Sequence, residues 1–313
     1  MDLHPLLVLL GPTAVGKTAV AIKVAERMRG EIISADSMQV YRHLNIGTAK
    51  PTLEEQERVV HHLVDVVEPY ENFNVARFQA EVKRLVPEIV ERGKLPIMVG
   101  GTGLYMSAVV DNYEFSPGGP KYELRTELLR RGRQEGPEAL YAELEKLDPT
   151  AASRIQPTDL RRVIRALEVK YSTGRELSRQ GKGPPLYRAL QIGLTMDRQR
   201  LYAAINARVD QMVAQGLIDE TRWLLAQDYP RDVPAFQALG YKEIVPYLEG
   251  RATLTEVIET LKRETRRFAK RQLTWFRRDK RIIWFDRGDY SNEESLAAEI
   301  ARLAEGEFLT DHE

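Results

Sequence analysis

The sequence predicts an α/β protein: a phosphate-loop core with a parallel sheet flanked by helices, plus a helical insertion domain. Three observations predict it. The stretch LLVLLGPTAVGKTAVAIKVAE, residues 6–26, joins an apolar strand, a glycine loop and a helical pattern end to end. Strand and helix patterns then alternate to about Asp111, which implies parallel crossovers. From 115 to 188 the strand pattern vanishes, and it returns with RALQIGLTM.

The run Leu6 to Leu10 reads as a buried strand, because a parallel strand covered on both faces is continuously apolar. Gly11-Pro12-Thr13-Ala14-Val15-Gly16-Lys17-Thr18 fits G-x-x-x-x-G-K-[ST] at every fixed position. Glycine permits the turn, successive N–H groups form an anion nest, and the helix start adds partial positive charge. Lys17 supplies a point charge, and Thr18 can offer its hydroxyl to a magnesium ion bridging phosphate oxygens. Val20, Ala21, Val24, Ala25 and Met28 recur at helical spacing, so a buried helix starts near Lys17. The loop implies a bound phosphate without saying which one. ATP is one candidate.

GEIISADSMQVY then reads as a turn, a short strand at Ile32 and Ile33, and a polar loop beginning near Asp36. Ligands of open α/β sheets sit beyond the carboxyl ends of the strands, which places Asp36 and Gln39 toward the phosphate loop. The stretch from Asn74 gives a helix, a Gly93 turn, a strand from Pro96 to Val99, and a second glycine loop opening another helix. Thr102 lies in that loop.

DNYEFSPGGPKYELR is a Pro/Gly linker, Lys121 to about Lys182 is helical, and GKGPPLYR is a second linker. Asp197 is placed to cap the helix after the returning strand. The expected division is 1–114 and 189–313 for the core, and 115–188 for the insertion.

Two basic concentrations stand out. Leu261 to Ile282 holds ten Lys/Arg against two acids. On a helix Leu261, Phe268 and Trp275 share one stripe, and Arg263, Arg267 and Arg271 another. The second stripe is expected to meet phosphate backbone and to take no part at the reacting centre, with Arg266 and Lys270 as the alternative stripe. In DLRRVIRALEV, Arg161 and Arg165 lie one turn apart with Arg162 beside them. Salt bridges to the core are the competing explanation there.

Lys+Arg and Asp+Glu both number 46, so net charge gives no argument for a nucleic-acid partner, and the lack of cysteine excludes disulfides, thiolate zinc and a cysteine nucleophile. The apolar start lacks a cationic flank and runs into the phosphate loop, which argues against a signal peptide. No run is long enough to span a bilayer. A cytoplasmic monomer is expected. His43, His61 and His62 have no metal-ligand spacing.

The residues alone leave Asp36 open as a magnesium ligand or as a base for an acceptor, and a small-molecule kinase using ATP fits the loop equally. The motifs GPTAVGKT, ISADSMQVYR, IGTAKP, HHLVDV, VGGTGLY, DLRRVIRALEV, INARVDQM, ALGYKE and RRFAKRQLTWFRRD together resemble those of the tRNA dimethylallyltransferases, in family order from about residue 6 to 286. The resemblance implies prenyl transfer from dimethylallyl diphosphate to N6 of the adenosine just 3′ of the anticodon, in tRNAs reading codons that begin with U. The loop would then hold the diphosphate, with Mg2+ as cofactor, and ATP would be unnecessary. Asp36 matches the family's general base and Thr102 a residue that orients base and transfer. Thr13 and Arg208 match diphosphate contacts. Asp36, Ser37, Met38 and Gln39 correspond to one tRNA-contacting stretch, in which Gln39 would read the adenine edge. Arg161, Arg162, Val163, Ile164 and Arg165 correspond to another. Eukaryotic members often add a cysteine-containing zinc finger, so this chain resembles the bacterial form. The basic helix and the insertion favour a large RNA over a free adenine nucleotide, and a complete phosphate loop argues against a non-catalytic RNA-binding protein.

Overall fold

The computed structural model describes residues 3–115, 121–230 and 233–308. The backbone forms two compact units, Met1–Val110 with Pro185–Glu313, and Asp111–Pro184. The first is built on a sheet of β1 (His4–Leu10), β2 (Gly30–Ala35), β3 (His61–His62), β4 (Leu95–Gly100), β5 (Tyr187–Thr195) and β6 (Ile283–Asp286). The order is β3-β2-β4-β1-β5-β6 and every pairing is parallel.

Its first helices are α1 (Lys17–Met28), α2 (Leu53–Arg58), α3 (Val75–Glu91) and α4 (Gly103–Val110). The other unit contains α5 (Tyr122–Gln134), α6 (Pro137–Leu147), α7 (Pro149–Ala152) and α8 (Leu160–Thr173). The sheet unit then resumes with α9 (Arg198–Ala214), α10 (Leu217–Ala226), α11 (Val245–Leu248), α12 (Leu254–Phe276) and α13 (Glu293–Phe308). The predicted Asp197 cap is present, its side chain accepting from the N–H groups of Gln199 and Arg200. Gly93 makes the predicted turn at φ 66°.

Strand alternation explains the two faces of the sheet. Leu6, Val8 and Leu10 enter one core with Phe78, Val82 and Leu261, while Leu7 and Leu9 enter the other with Val20, Val24 and Ile300. All five β1 leucine and valine positions are at most 1% exposed, the burial that a central parallel strand requires. The second unit has its own core around Leu128, Leu140, Leu144, Val163 and Leu167.

This unit starts and ends a few residues earlier than the sequence pattern suggests. The physical reason is pairing: Glu114 N–H donates to Gly181, Gly183 N–H donates to Asn112, and Tyr113 bridges Lys182. These contacts draw 111–114 into the second unit, whereas Tyr187 and Arg188 already pair with His4 and Pro5 in the sheet. Of the predicted first linker, residues 116–120 lie outside the described residues. The basic helix is corrected at its C-terminal end. It stops at Phe276, and Asp279 then accepts from the Arg281 N–H in the turn that leads to β6.

Candidate active site

The phosphate loop lies between the end of β1 and the start of α1. Gly11 has φ +151° and a Cβ there would stand 2.5 Å from the Leu194 carbonyl oxygen, so only glycine fits beside β5. Gly16, at φ 92°, caps α1, whose first turn carries no acidic residue. The positive end of the helix is therefore left for an anion. Lys17 Nζ curls back to donate to the carbonyls of Gly11 at 3.0 Å and Pro12 at 2.7 Å. Val15 is fully buried, and Thr13, Ala14, Lys17 and Thr18 line a cavity of about 300 Å³.

A second cavity of about 480 Å³ lies against Ser37, Met38, Thr102 and the α12 side chains Phe268 and Arg271. Both cavities are lined by Thr13, Asp36, Thr48, Arg208 and Phe268. Asp36 thus stands where a phosphate-side space and a second space meet.

Local hydrogen bonds fix that meeting point. Asp36 leaves the end of β2, and its Oδ1 accepts from Met38 N at 2.8 Å and Gln39 N at 3.4 Å. Among the described residues no hydrogen bond reaches Oδ2, which leaves that oxygen for a proton. Thr102 N–H donates to Ala35 O at 3.2 Å, and Thr102 Oγ1 accepts from Ser37 N at 3.1 Å. The two loops are laced together on either side of Asp36. Gly100 makes this approach possible, since a Cβ there would collide with the Ala35 carbonyl.

Gln39 requires a correction. Its amide hydrogens go to the carbonyls of Thr48 at 3.3 Å and Ala49 at 3.1 Å, and its oxygen accepts from Ser34 Oγ at 2.8 Å. The side chain ties the cavity wall together, and has no free donor for an adenine edge.

The electrostatics suit an anion. Burial and then the nearby Arg208 bring the Lys17 ammonium down to about 7, against the pull of Asp36. Burial also lowers Arg208, again opposed by Asp36. Arg208 points inward because Leu201, Ile205 and Val209 bury the adjacent stripe of α9. By composition alone it would pass for a surface arginine.

Other predicted residues lie elsewhere. Val163 and Ile164 are 0% and 5% exposed in the core of the second unit, so as tRNA contacts they are corrected: packing claims them. Arg165 donates to the buried Glu168 of its own helix at 2.7 Å, a local pair and not the expected bridge to the core, while Arg162 pairs with Asp159 at 3.5 Å and Arg161 is exposed. On α12, Arg263 and Arg267 are exposed and both pair with Glu264. Arg271 departs from expectation: it lines the second cavity, with its guanidinium 5.8 Å from the Phe268 ring centre. Arg266 turns to α9 instead, donating to Asn206 at 2.6 Å. His62 pairs with Glu31, and His61 holds Val59 O at 2.8 Å. Among the described residues no group of three or more His, Cys, Asp or Glu could hold a metal, and no helix is long and apolar enough to cross a membrane.

Two site residues escape sequence reasoning. Phe268 belongs to neither hydrophobic core of its unit yet lines both cavities. Gln272 is 6% exposed and bonded to the phosphate loop. A glutamine on the buried stripe of an otherwise basic helix was the available signal.

Fold and site define an α/β protein of the phosphate-loop class, with an anion site that opens toward a second cavity. Residues 39–279 match the model of the IPP transferase family. Over 308 residues the chain is 52% identical to the tRNA dimethylallyltransferase of Carboxydothermus hydrogenoformans, covering 97% of this chain and 99% of that relative. It is 51% identical to the same enzyme of Symbiobacterium thermophilum, covering 96% and 94%. The solved tRNA isopentenylpyrophosphate transferase of Bacillus halodurans superposes with a TM-score of 0.74 at 47% identity, covering 97% of this chain and 96% of that one. A eukaryotic dimethylallyltransferase solved acting on tRNA gives 0.83 at 29% identity, covering 99% and 80%. This chain belongs to the IPP transferase family.

Proposed function

We infer that the enzyme transfers a dimethylallyl group from dimethylallyl diphosphate to N6 of the adenosine 3′-adjacent to the anticodon, in tRNAs reading codons that begin with U. The observation that carries this reading is the position of Asp36 and Arg208 on the walls of both cavities. The donor diphosphate occupies the phosphate-loop side, held by the loop N–H groups, Lys17, Thr13 and Arg208. The flipped adenine enters the other side, past Ser37, Met38 and Thr102.

The adenine amine is a weak nucleophile, because its lone pair is delocalised into the ring. As N6 bonds to the allylic carbon, the carbon–oxygen bond breaks and diphosphate leaves with the electron pair. Asp36 Oδ2 takes the N6 proton. Lys17 and Arg208 face the charge that builds on the leaving diphosphate. Thr102, fixed by Ser37 and Ala35, orients the amine.

The family generally works with a divalent metal, and we assign magnesium. Thr18 fits it, since the residue lines the phosphate-side cavity at the start of α1, carries a hydroxyl, and magnesium asks only one or two protein ligands beside phosphate oxygens and water. When bound it would neutralise diphosphate charge. Arg161 and the exposed arginines of α12 are the candidate contacts to RNA phosphates. A cytosolic location fits a tRNA substrate.

The experiment is mass spectrometry of tRNA nucleosides after incubation with dimethylallyl diphosphate, with ATP in a parallel arm. Appearance of N6-isopentenyladenosine in the first arm alone is expected. Phosphorylated product in the ATP arm, with no prenylation, would return the loop to a kinase.

A further inference from the structure

Gln272 makes two hydrogen bonds that join loops far apart in sequence. Its Oε1 accepts from the N–H of Thr13 at 2.9 Å, and its Nε2 donates to the carbonyl of Gly101 at 2.9 Å. The side chain is 6% exposed. A Cβ at Gly101 would collide with the Gln272 amide, and one at Gly103 with the Trp275 ring. Both neighbours of Thr102 are thus glycines because α12 presses on them. Trp275 Nε1 donates to Ser107 Oγ at 3.3 Å, which holds α12 against α4.

The chemistry of an amide suits this place. It accepts at one end and donates at the other in one fixed plane, whereas an ionised carboxylate only accepts and a hydroxyl does both from a single oxygen. Its Thr13 bond also takes one loop N–H out of the anion nest, which leaves Thr13 to face the cavities with its side chain.

We propose that Gln272 is a positioning residue for the transfer reaction, a strut whose single amide sets the separation between the donor loop and the Thr102 loop. The inference rests on the prenyl-transfer reading above. A misplacement of about 1 Å between reacting groups can cost a hundredfold in rate. The strut would therefore act on kcat and on donor affinity, and leave tRNA affinity alone.

The test uses Gln272→Ala and the isosteric Gln272→Glu. At pH 8 both should lose about tenfold to a hundredfold in single-turnover transfer at saturating donor and tRNA, with tRNA affinity unchanged. A glutamate carboxylate can accept from Thr13 but cannot donate to Gly101, whereas its protonated form can do both. A buried carboxyl takes up its proton above the ordinary range. Relative to wild type, Gln272→Glu should therefore recover as pH falls, and Gln272→Ala should not. Should Gln272→Ala fail to fold, the pH profile of Gln272→Glu decides. Wild-type rates in either folded variant, or a Gln272→Glu profile parallel to wild type, overturn the strut. Failure of wild-type enzyme to prenylate tRNA sinks the reaction reading instead, a separate outcome.

Discussion

Arg208 and Asp36 line the same two cavities, and among the described residues no ion pair joins them. Asp36 still acts on the Arg208 guanidinium at longer range, opposing the lowering that burial imposes on it. An opposite-charge couple left open at the meeting of two spaces is poised for ligands on both sides. Closed into a salt bridge, it would screen the carboxylate from an amine proton and the guanidinium from a diphosphate.

Asp36→Ala should lower single-turnover transfer by about a hundredfold to ten-thousandfold, the range for loss of a general base. Its tRNA affinity should stay near wild type, because the carboxylate acts on the amine proton and not on the RNA backbone. A variant retaining more than about half the wild-type rate removes Asp36 from that role.

Lys17 makes stability and donor binding depend on pH. Its folded value of about 7 lies below the ordinary 10.5, so between these values the unfolded chain holds a proton that the folded chain has released. Stability contributed by this group therefore rises with pH across that window. A bound diphosphate favours the ammonium and reverses the shift, so donor binding above about pH 7 should take up a proton and weaken as pH rises. Calorimetry in two buffers of different ionisation enthalpy measures the uptake. Equal uptake by Lys17→Ala contradicts the assignment.

Glu220 accepts from the N–H groups of Asn45 at 2.9 Å, Ile46 at 2.9 Å and Gly47 at 3.0 Å, and from the Tyr241 hydroxyl at 2.6 Å. Glu220→Ala leaves those donors unmatched, at a cost of about 1–3 kcal/mol for the buried groups. Thermal unfolding should shift down by about 2–4 °C for each kcal/mol. An unchanged transition means that water satisfies this loop unaided.

The arginines of α12 should separate into two behaviours. Replacing Arg263 and Arg267 with glutamine should make the salt slope of tRNA affinity shallower by less than about two units, since both already share Glu264. Transfer at saturating tRNA should survive. Arg271→Gln should slow transfer as well, because that side chain lines the second cavity. Identical effects of both changes on slope and rate refute the division.

The order of strands and helices was legible wherever burial imposes a short-range period. Leu6 to Leu10, the Gly11 to Thr18 loop, and the strand at Pro96 to Val99 could be read directly, because a covered parallel strand and a phosphate nest demand particular residue types in series. Tertiary structure decided which side chains share a space. The short strand at His61 and His62 has too few residues to show a period. Phe268 and Arg271 became cavity walls because the buried stripe of α12 runs through Leu261, Thr265, Ala269 and Gln272, which rotates those neighbours toward Asp36. Gln39 lost its reading role to three local partners, and Gln272 acquired two partners through a contact across 259 residues to Thr13 and another across 171 to Gly101. Periodicity reports which face of an element is buried; only packing between elements determines which atoms that face meets.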